Sequence, residues 1–325
     1  MTSPARSFKY QKGLADLGNG CFAYLQPDGS WGWSNAGLIV DGDESLLVDT
    51  LFDLKLTREM LSAMKSAAPQ ATKKFGTLVN THHNGDHCFG NELVGAGEII
   101  ASKHAAEEMK REGPALLQGF LKAAPGLGDV GAYVTHCFGK FEFDGITQTH
   151  PTKTFTGELT HKVGNKSVEL IEVGPAHTGG DVLVYVSKDK TIYTGDILFI
   201  EGTPIMWAGP VKNWIDACNR IIAMDVETIV PGHGPLTDKK GVAAMRDYLS
   251  YITKEAKKRY DAGMPSFEAA KDIALGDYDA WGDAERIAVN VATLYREFSG
   301  DTSPLNAAEI FGQMAAIWKA RKTRH

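Results

Sequence analysis

Short apolar runs separated by turn residues fill the first two thirds of the chain, and helical periodicity fills the last third. Cys21 to Gln26, Trp33 to Val40 and Glu44 to Thr50 are broken by Pro-Asp-Gly and Asp-Gly-Asp, which predicts three strands joined by tight turns. Residues 53 to 68 carry Leu54, Leu56, Met60, Leu61 and Met64 at helical spacing. Phe75 to Thr81 predicts another strand, Ile99-Ile100 a further one, and Ser102 is placed to cap a helix running towards Lys110. Strand character resumes at Thr160 to Val163 and Ser167 to Val173, joined by Gly164-Asn165, and again at Val182 to Val186 and Thr191 to Tyr193. Beyond residue 240 the pattern is helical. Trp281, Ala284, Ile287, Ala288, Val291, Leu294, Tyr295 and Phe298 fall on one stripe, and Leu305, Ile310, Met314, Ile317 and Trp318 repeat the habit. Such a stripe must be covered, either as a helical cap on the rest of the chain or as a homodimer interface.

Composition narrows the classes. The chain has 325 residues, 43% hydrophobic and 23% charged, which fits an ordinary globular protein with one large core and an appendage. Net charge is −6, and the only basic cluster is Lys319-Ala-Arg-Lys-Thr-Arg324, read as a solvated helix end, so a nucleic-acid partner is not expected. No apolar run reaches membrane-spanning length, and the first dozen residues lack the apolar segment of a secretory signal, so a cytoplasmic protein without a membrane partner is expected. Cys21, Cys88, Cys137 and Cys218 are scattered without a C-x-x-C pair, against both a disulfide framework and a zinc ribbon. Cys88 follows a candidate ligand directly; it reads either as a thiol activated by a metal or as a small buried residue at a helix start.

The chemistry concentrates in Thr81-His82-His83-Asn84-Gly85-Asp86-His87. In extended backbone, side chains two apart point the same way, so His82 and Asn84 share a side, while Asp86 and His87 follow a Gly turn onto a second cluster. His83 is one residue off register and should turn away, as a packing or supporting histidine. Three later fragments each put a His or Asp in a Gly-rich turn beside an apolar run: Gly174-Pro175-Ala176-His177-Thr178-Gly179-Gly180-Asp181, Tyr193-Thr194-Gly195-Asp196 and Val230-Pro231-Gly232-His233-Gly234. Leu46-Leu47-Val48-Asp49-Thr50 is a fifth. In order and character these fragments resemble the metallo-β-lactamase-fold superfamily, with its H-x-H-x-D-H motif, a later loop His, a bridging Asp and a final His in a G-H-G-like turn. The resemblance covers roughly residues 20 to 240.

It implies a four-layer αβ/βα sandwich, an α/β fold with the metal at one edge, followed by a C-terminal helical extension from 241 to 325. It also implies two adjoining metal pockets: His82, Asn84 where the family has His, His177 and Asp196 in the first, and Asp86, His87, His233 and Asp196 in the second. Asp49 would support the ligands from behind, or else cap the helix that starts near residue 53. An amide oxygen binds zinc less well than imidazole does. Asn84 can therefore coordinate and keep a two-ion centre, leave the first site without an ion, or not matter. In the last case His82, His177 and Asp196 form the two-His, one-carboxylate set that suits Fe(II), as in the persulfide dioxygenases of the same superfamily.

The expected cofactor is one or two zinc ions, with iron or manganese as alternatives, and the expected partner is a small-molecule substrate. The expected activity is hydrolysis of a thioester, lactone or ester by hydroxide formed on the metal, with Asp86 orienting the nucleophile or taking its proton. A true β-lactamase is not expected. The rival readings are a mononuclear iron dioxygenase and a metal-stabilised binding protein without chemistry. Residues 113 to 150, rich in Gly, with Phe120, Leu121, Tyr133, Phe138, Phe141 and Phe143, read as an irregular insertion: a flap selecting an apolar substrate portion, or a packed surface excursion. Met206 and Trp207, soon after the bridging Asp, are candidates to line the cleft.

Overall fold

The computed structural model describes residues 9–323. Neighbouring strands of the first sheet run in chain order, β1 (Gly13–Gly18), β2 (Cys21–Leu25), β3 (Ala36–Asp41), β4 (Glu44–Val48), β5 (Thr77–Val79), β6 (Glu98–Ser102) and β7 (Lys153–Phe155). Pairing is antiparallel up to β4 and parallel from there on. The second sheet holds β8 (Glu158–Val163), β9 (Lys166–Glu172), β10 (Val182–Val186), β11 (Thr191–Tyr193) and β12 (Thr228–Val230), antiparallel except for the β11–β12 pair.

Alternation along the strands explains the layers. Successive strand residues face opposite sides, and here both sides are apolar. Leu46, Val48, Val79, Val168, Val182 and Val184 pack together between the sheets. The intervening Leu47, Leu78, Leu183 and Ile192 belong to the outer core shared with the helices. Runs apolar on both faces are what a sheet covered by helices requires, and the result is the four-layer sandwich expected.

The helices are α1 (Leu54–Ala67), α2 (Gly85–Cys88), α3 (Lys103–Glu108), α4 (Pro114–Ala123), α5 (Gly128–Phe138), α6 (Val211–Ala223), α7 (Lys239–Asp261), α8 (Ser266–Asp272), α9 (Ile287–Ser299) and α10 (Ala307–Lys322). Ser102 caps α3 as expected, accepting from the Ala105 N–H at 3.1 Å. The strand expected from Trp33 starts only at Ala36, because Trp33 closes a turn onto the Ser30 carbonyl. The 113–150 stretch is not irregular: it holds α4 and α5, and Gly131 lies inside α5 because a Cβ there would collide with the Ala124 carbonyl. Strands β1 and β7 and helix α6 have no counterpart in the sequence reading.

The C-terminal stripe is covered by the chain itself. Residues Ile287 to Leu294 of α9 are buried, and α10 packs on α5 through Tyr133, whose ring lies 5.6 Å from Trp318 and 6.2 Å from Phe311. At the basic tail, Lys319 and Arg321 pair with Asp129 and Asp279 at the surface, where such pairs contribute little, and Arg324 lies outside the described residues. So do the first eight residues of the stretch read for a targeting signal. Among the described residues no helix is long and apolar enough to cross a membrane.

Candidate metal centre

The ends of four parallel strands converge at one edge of the sandwich. Val48 of β4 pairs with Val79 of β5, and Tyr193 of β11 with Val230 of β12, so the loops carrying Asp49, His82 to His87, Asp196 and His233 emerge side by side. The two sheets are tied there by the Val182 N–H donating to the Thr81 carbonyl at 2.9 Å and the Asn35 N–H donating to the Gly232 carbonyl at 2.7 Å. Gly232 is obligatory at this point, since a Cβ would collide with Asp196 Oδ1.

Two clusters result: His82, His177 and Asp196, and Asp86, His87 and His233, each with its donor atoms within 4.8 Å of one another. Asp196 reaches all four imidazoles. Its Oδ1 lies 3.0 Å from His87 Nε2, and its Oδ2 lies 3.4 Å from both His177 and His233 Nε2 and 3.8 Å from His82 Nε2. Asp86 Oδ2 is 3.2 Å from His233 Nε2.

The outward nitrogens decide the tautomers. His177 Nδ1 faces the Ile205 carbonyl at 2.6 Å and His233 Nδ1 the Gly29 carbonyl at 3.0 Å; a carbonyl only accepts, so each Nδ1 carries the proton. His87 Nδ1 donates to Asp49 Oδ2 at 2.9 Å. Thr81 Oγ1 donates to Asp49 Oδ2 and so accepts from His82 Nδ1 at 3.0 Å. All four rings therefore turn Nε2 inward, the atom that offers a metal its lone pair once it carries no proton. His82 Nε2, His87 Nε2 and Asp196 Oδ1 are buried and make no hydrogen bond, although two of them lie 3.0 Å apart. Buried donor atoms without partners are costly unless something completes them, and a divalent cation fits this donor set.

Asn84 joins the first cluster. It stands at the N-cap of α2, yet its side chain makes no capping bond; Oδ1 lies 2.8 Å from His177 Nε2 instead. Burial pushes His177 down to about 4, so at neutral pH its Nε2 is a bare lone pair facing an amide oxygen. The other end of the amide lies 3.3 Å from His83 Nε2, so in either orientation of the amide residue 84 meets the His177 ring and borders the first cluster.

Electrostatics follow the carboxylates. Burial opposes charge on His87 and His233, but Asp196 outweighs it, holding His87 well above the usual range and His233 at about 9. Burial also opposes charge on Asp86 and Asp196, and the histidines override it, keeping both carboxyls below the usual range. Without an ion, protons therefore occupy part of the centre, and cation uptake must displace them.

Asp49 is no helix cap. That role belongs to Asp53, which accepts from the Leu56 N–H at 2.7 Å, while Asp49 takes a positive φ of 62° and holds both Thr81 and His87. His83 turns aside as expected, pairing with Glu108 at 3.1 Å and Glu112 at 3.2 Å, which raise it to about 9 against the effect of burial. Cys88 takes the bland role: its thiol is buried, meets the His83 carbonyl and is pushed well up by burial. Met206 does not line the cleft. It is fully buried, and its backbone is held by Asn290 and Thr293 of α9. Trp207 does line it.

Several supports carry no motif. Asn35 donates to the Pro231 and Gly234 carbonyls on either side of His233. Asn80 Nδ2 holds the His87 carbonyl and is braced by Asn91. Phe199 stacks on His233 at 5.0 Å with the rings 3° from parallel, and Arg286 lies over the rings of both Phe199 and Trp31. Asp181 accepts the Thr178 N–H and hydroxyl and closes the loop of His177. The clusters open into a cavity of about 550 Å³ walled by α4, α10 and the loop around Trp31.

Known proteins share this architecture. The solved structure of the stereoselective inverting sec-alkylsulfatase Pisa1 from Pseudomonas sp. superposes with a TM-score of 0.67 over 91% of this chain and 52% of its own, at 17% identity. By sequence, the chain is 26% identical over 205 residues to the 2,4-dinitroanisole O-demethylase subunit alpha of Nocardioides sp. (strain JS1661), covering 60% of this chain and 51% of that protein. It is 27% identical over 186 residues to the mitochondrial hydroxyacylglutathione hydrolase of Saccharomyces cerevisiae, covering 54% of each. The chain thus spans about half the length of each of these relatives. The family model for the metallo-beta-lactamase superfamily matches residues 29–233, which hold every candidate ligand, and the chain belongs to that superfamily.

Proposed function

We propose that this protein is a metal-dependent hydrolase that cleaves an ester-like bond: a thioester, a lactone or a carboxylic ester. The observation that carries the reading is the set of four buried imidazoles, each fixed at Nδ1 so that its Nε2 converges on Asp86 and Asp196. The name of one relative, a hydroxyacylglutathione hydrolase, agrees with an acyl substrate.

Divalent ions held by His82, Asn84, His177 and Asp196, and by Asp86, His87, His233 and Asp196, would supply water acidified to a pKa of about 7 and a Lewis acid for the substrate carbonyl. The chain's own groups do the rest. Asp86 reaches the cavity, and its carboxylate takes the proton of the attacking water and returns it to the leaving group. Asp196 sits among all four rings and fixes their spacing. Phe199 and the aromatic wall exclude water, which strengthens each charge interaction inside.

The test is elemental analysis of the purified protein together with turnover of a panel of thioesters, lactones and esters. Bound zinc or manganese, with hydrolysis lost in Asp86→Ala and on chelation, is the expected result. One iron per chain with oxygen uptake on a thiol or persulfide would replace this reading with the dioxygenase one. Full metal loading without any turnover would leave a binding protein.

A further inference from the structure

We infer that the substrate carries an extended apolar group on one side of its scissile bond, and that helix α4 and helix α10 are the two jaws that receive it. The inference rests on the hydrolase reading and goes beyond it by naming the substrate class. Three observations lead to it. First, the cavity is continuous: Asn84, Asp86, His177, Asp196 and His233 form its floor, and Leu117, Phe120, Leu305, Ile310 and Phe311 its far wall. A molecule with its reactive carbonyl on that floor reaches these side chains with its other end. Second, α4 is unfinished as a helix of a folded protein. Six of its ten residues are Ala, Leu or Phe, yet none is buried, and Leu116 is 52% exposed. An amphipathic helix is normally stabilised by burying its apolar face, and here that face borders the cavity. Third, the jaws meet through one ring contact, Phe120 against Phe311 at 5.9 Å, while Phe311 also lies 6.1 Å from Trp31 beside the floor. On the side of the two jaws the passage is thus aromatic and aliphatic, while Glu108, Glu112, Arg286 and Arg296 supply the charged part of its lining. An apolar chain is the occupant that completes the wall made by α4 and α10, because polar groups laid against those side chains would find no partner in them.

The test measures binding of methyl ketones of increasing chain length to the metal-loaded protein, read by quenching of Trp31 and Trp207 in the wall. Ketones keep the carbonyl and one apolar chain but lack a leaving group. Affinity is expected to rise roughly threefold per methylene, and then to level off once the cavity is filled. Leu117→Asp should flatten the series while leaving the shortest ketone unchanged. Leu117→Trp, which keeps the wall apolar but fills it, should bring the plateau at a shorter chain. A flat series in the wild type, or a slope that survives both variants, overturns the inference. Failure of the hydrolase reading looks different: the ketone series keeps its slope and no acyl ester of any length is turned over.

Discussion

Asn84 is the residue at which this centre parts from the family pattern, and its chemistry makes a directional prediction. A neutral amide oxygen is a weaker zinc ligand than imidazole, and here it already faces His177 Nε2 at 2.8 Å. Asn84→His should therefore tighten zinc at the first cluster, seen as slower loss of zinc to a chromophoric chelator. An unchanged rate would mean that residue 84 does not touch the ion. Asp49 makes a second case. In Asp49→Asn an amide N–H would face His87 Nδ1–H, pushing the ring to the other tautomer and blocking Nε2. Asparagine tolerates the positive φ, so metal affinity should fall by about 10- to 100-fold while the circular dichroism spectrum stays the same. Both positions were legible in the chain. Phe199, Asn35 and Asn80 were not, because a packed ring or a buried amide far from the motif leaves no local signature.

At the scale of elements, each ligand loop is shaped by a few internal bonds. Asp181 closes the loop of His177 through Thr178, and burial raises its carboxyl to about 7 against the pull of those hydrogen bonds. An unfolded aspartate titrates near 3.9, so the folded state holds this proton more tightly. The stability it contributes is complete below about pH 4 and is lost as the pH rises through about 7. Asp181→Asn keeps an acceptor for Thr178 and removes the titration. Its urea midpoint should fall less than that of the wild type between pH 4 and pH 7, and equal slopes would show that the proton is not held. Most strands and α1 were readable from their apolar spacing; β1, β7, α6, α4 and α5 were not. The glycines of α4 and α5 looked like loop residues, and Gly131 is in fact needed for a close backbone approach.

The whole molecule enters through α9, which binds the loop between the Asp196 turn and α6. Asn290 donates to the Pro204 carbonyl and accepts from the Met206 N–H, Thr293 donates to the Met206 carbonyl, and Glu297 accepts from the Val211 N–H. Asn290→Ala strands two buried backbone groups, at a cost of about 1–3 kcal/mol for each group left unsatisfied. The denaturant midpoint should drop with an unchanged slope. A metal that binds only the folded state should add about 2.7 kcal/mol at a free concentration a hundredfold above Kd. The melting temperature should rise with zinc and return on chelation; a melting temperature indifferent to both would remove the metal from the account.

The chain by itself determined the layering and announced the candidate ligands, because both are written in local pattern: short runs apolar on both faces require cover on each side of a sheet, and His and Asp in Gly-rich turns at strand ends announce a site. Tertiary structure alone decided how those groups are used. It settled that Asp49 supports His87 while Asp53 caps α1, that Asn84 faces the cluster, that Met206 is core while Trp207 is wall, and that the C-terminal stripe is covered from within. Each of these depends on which residues meet across tens or hundreds of positions, and spacing along a chain does not encode that distance.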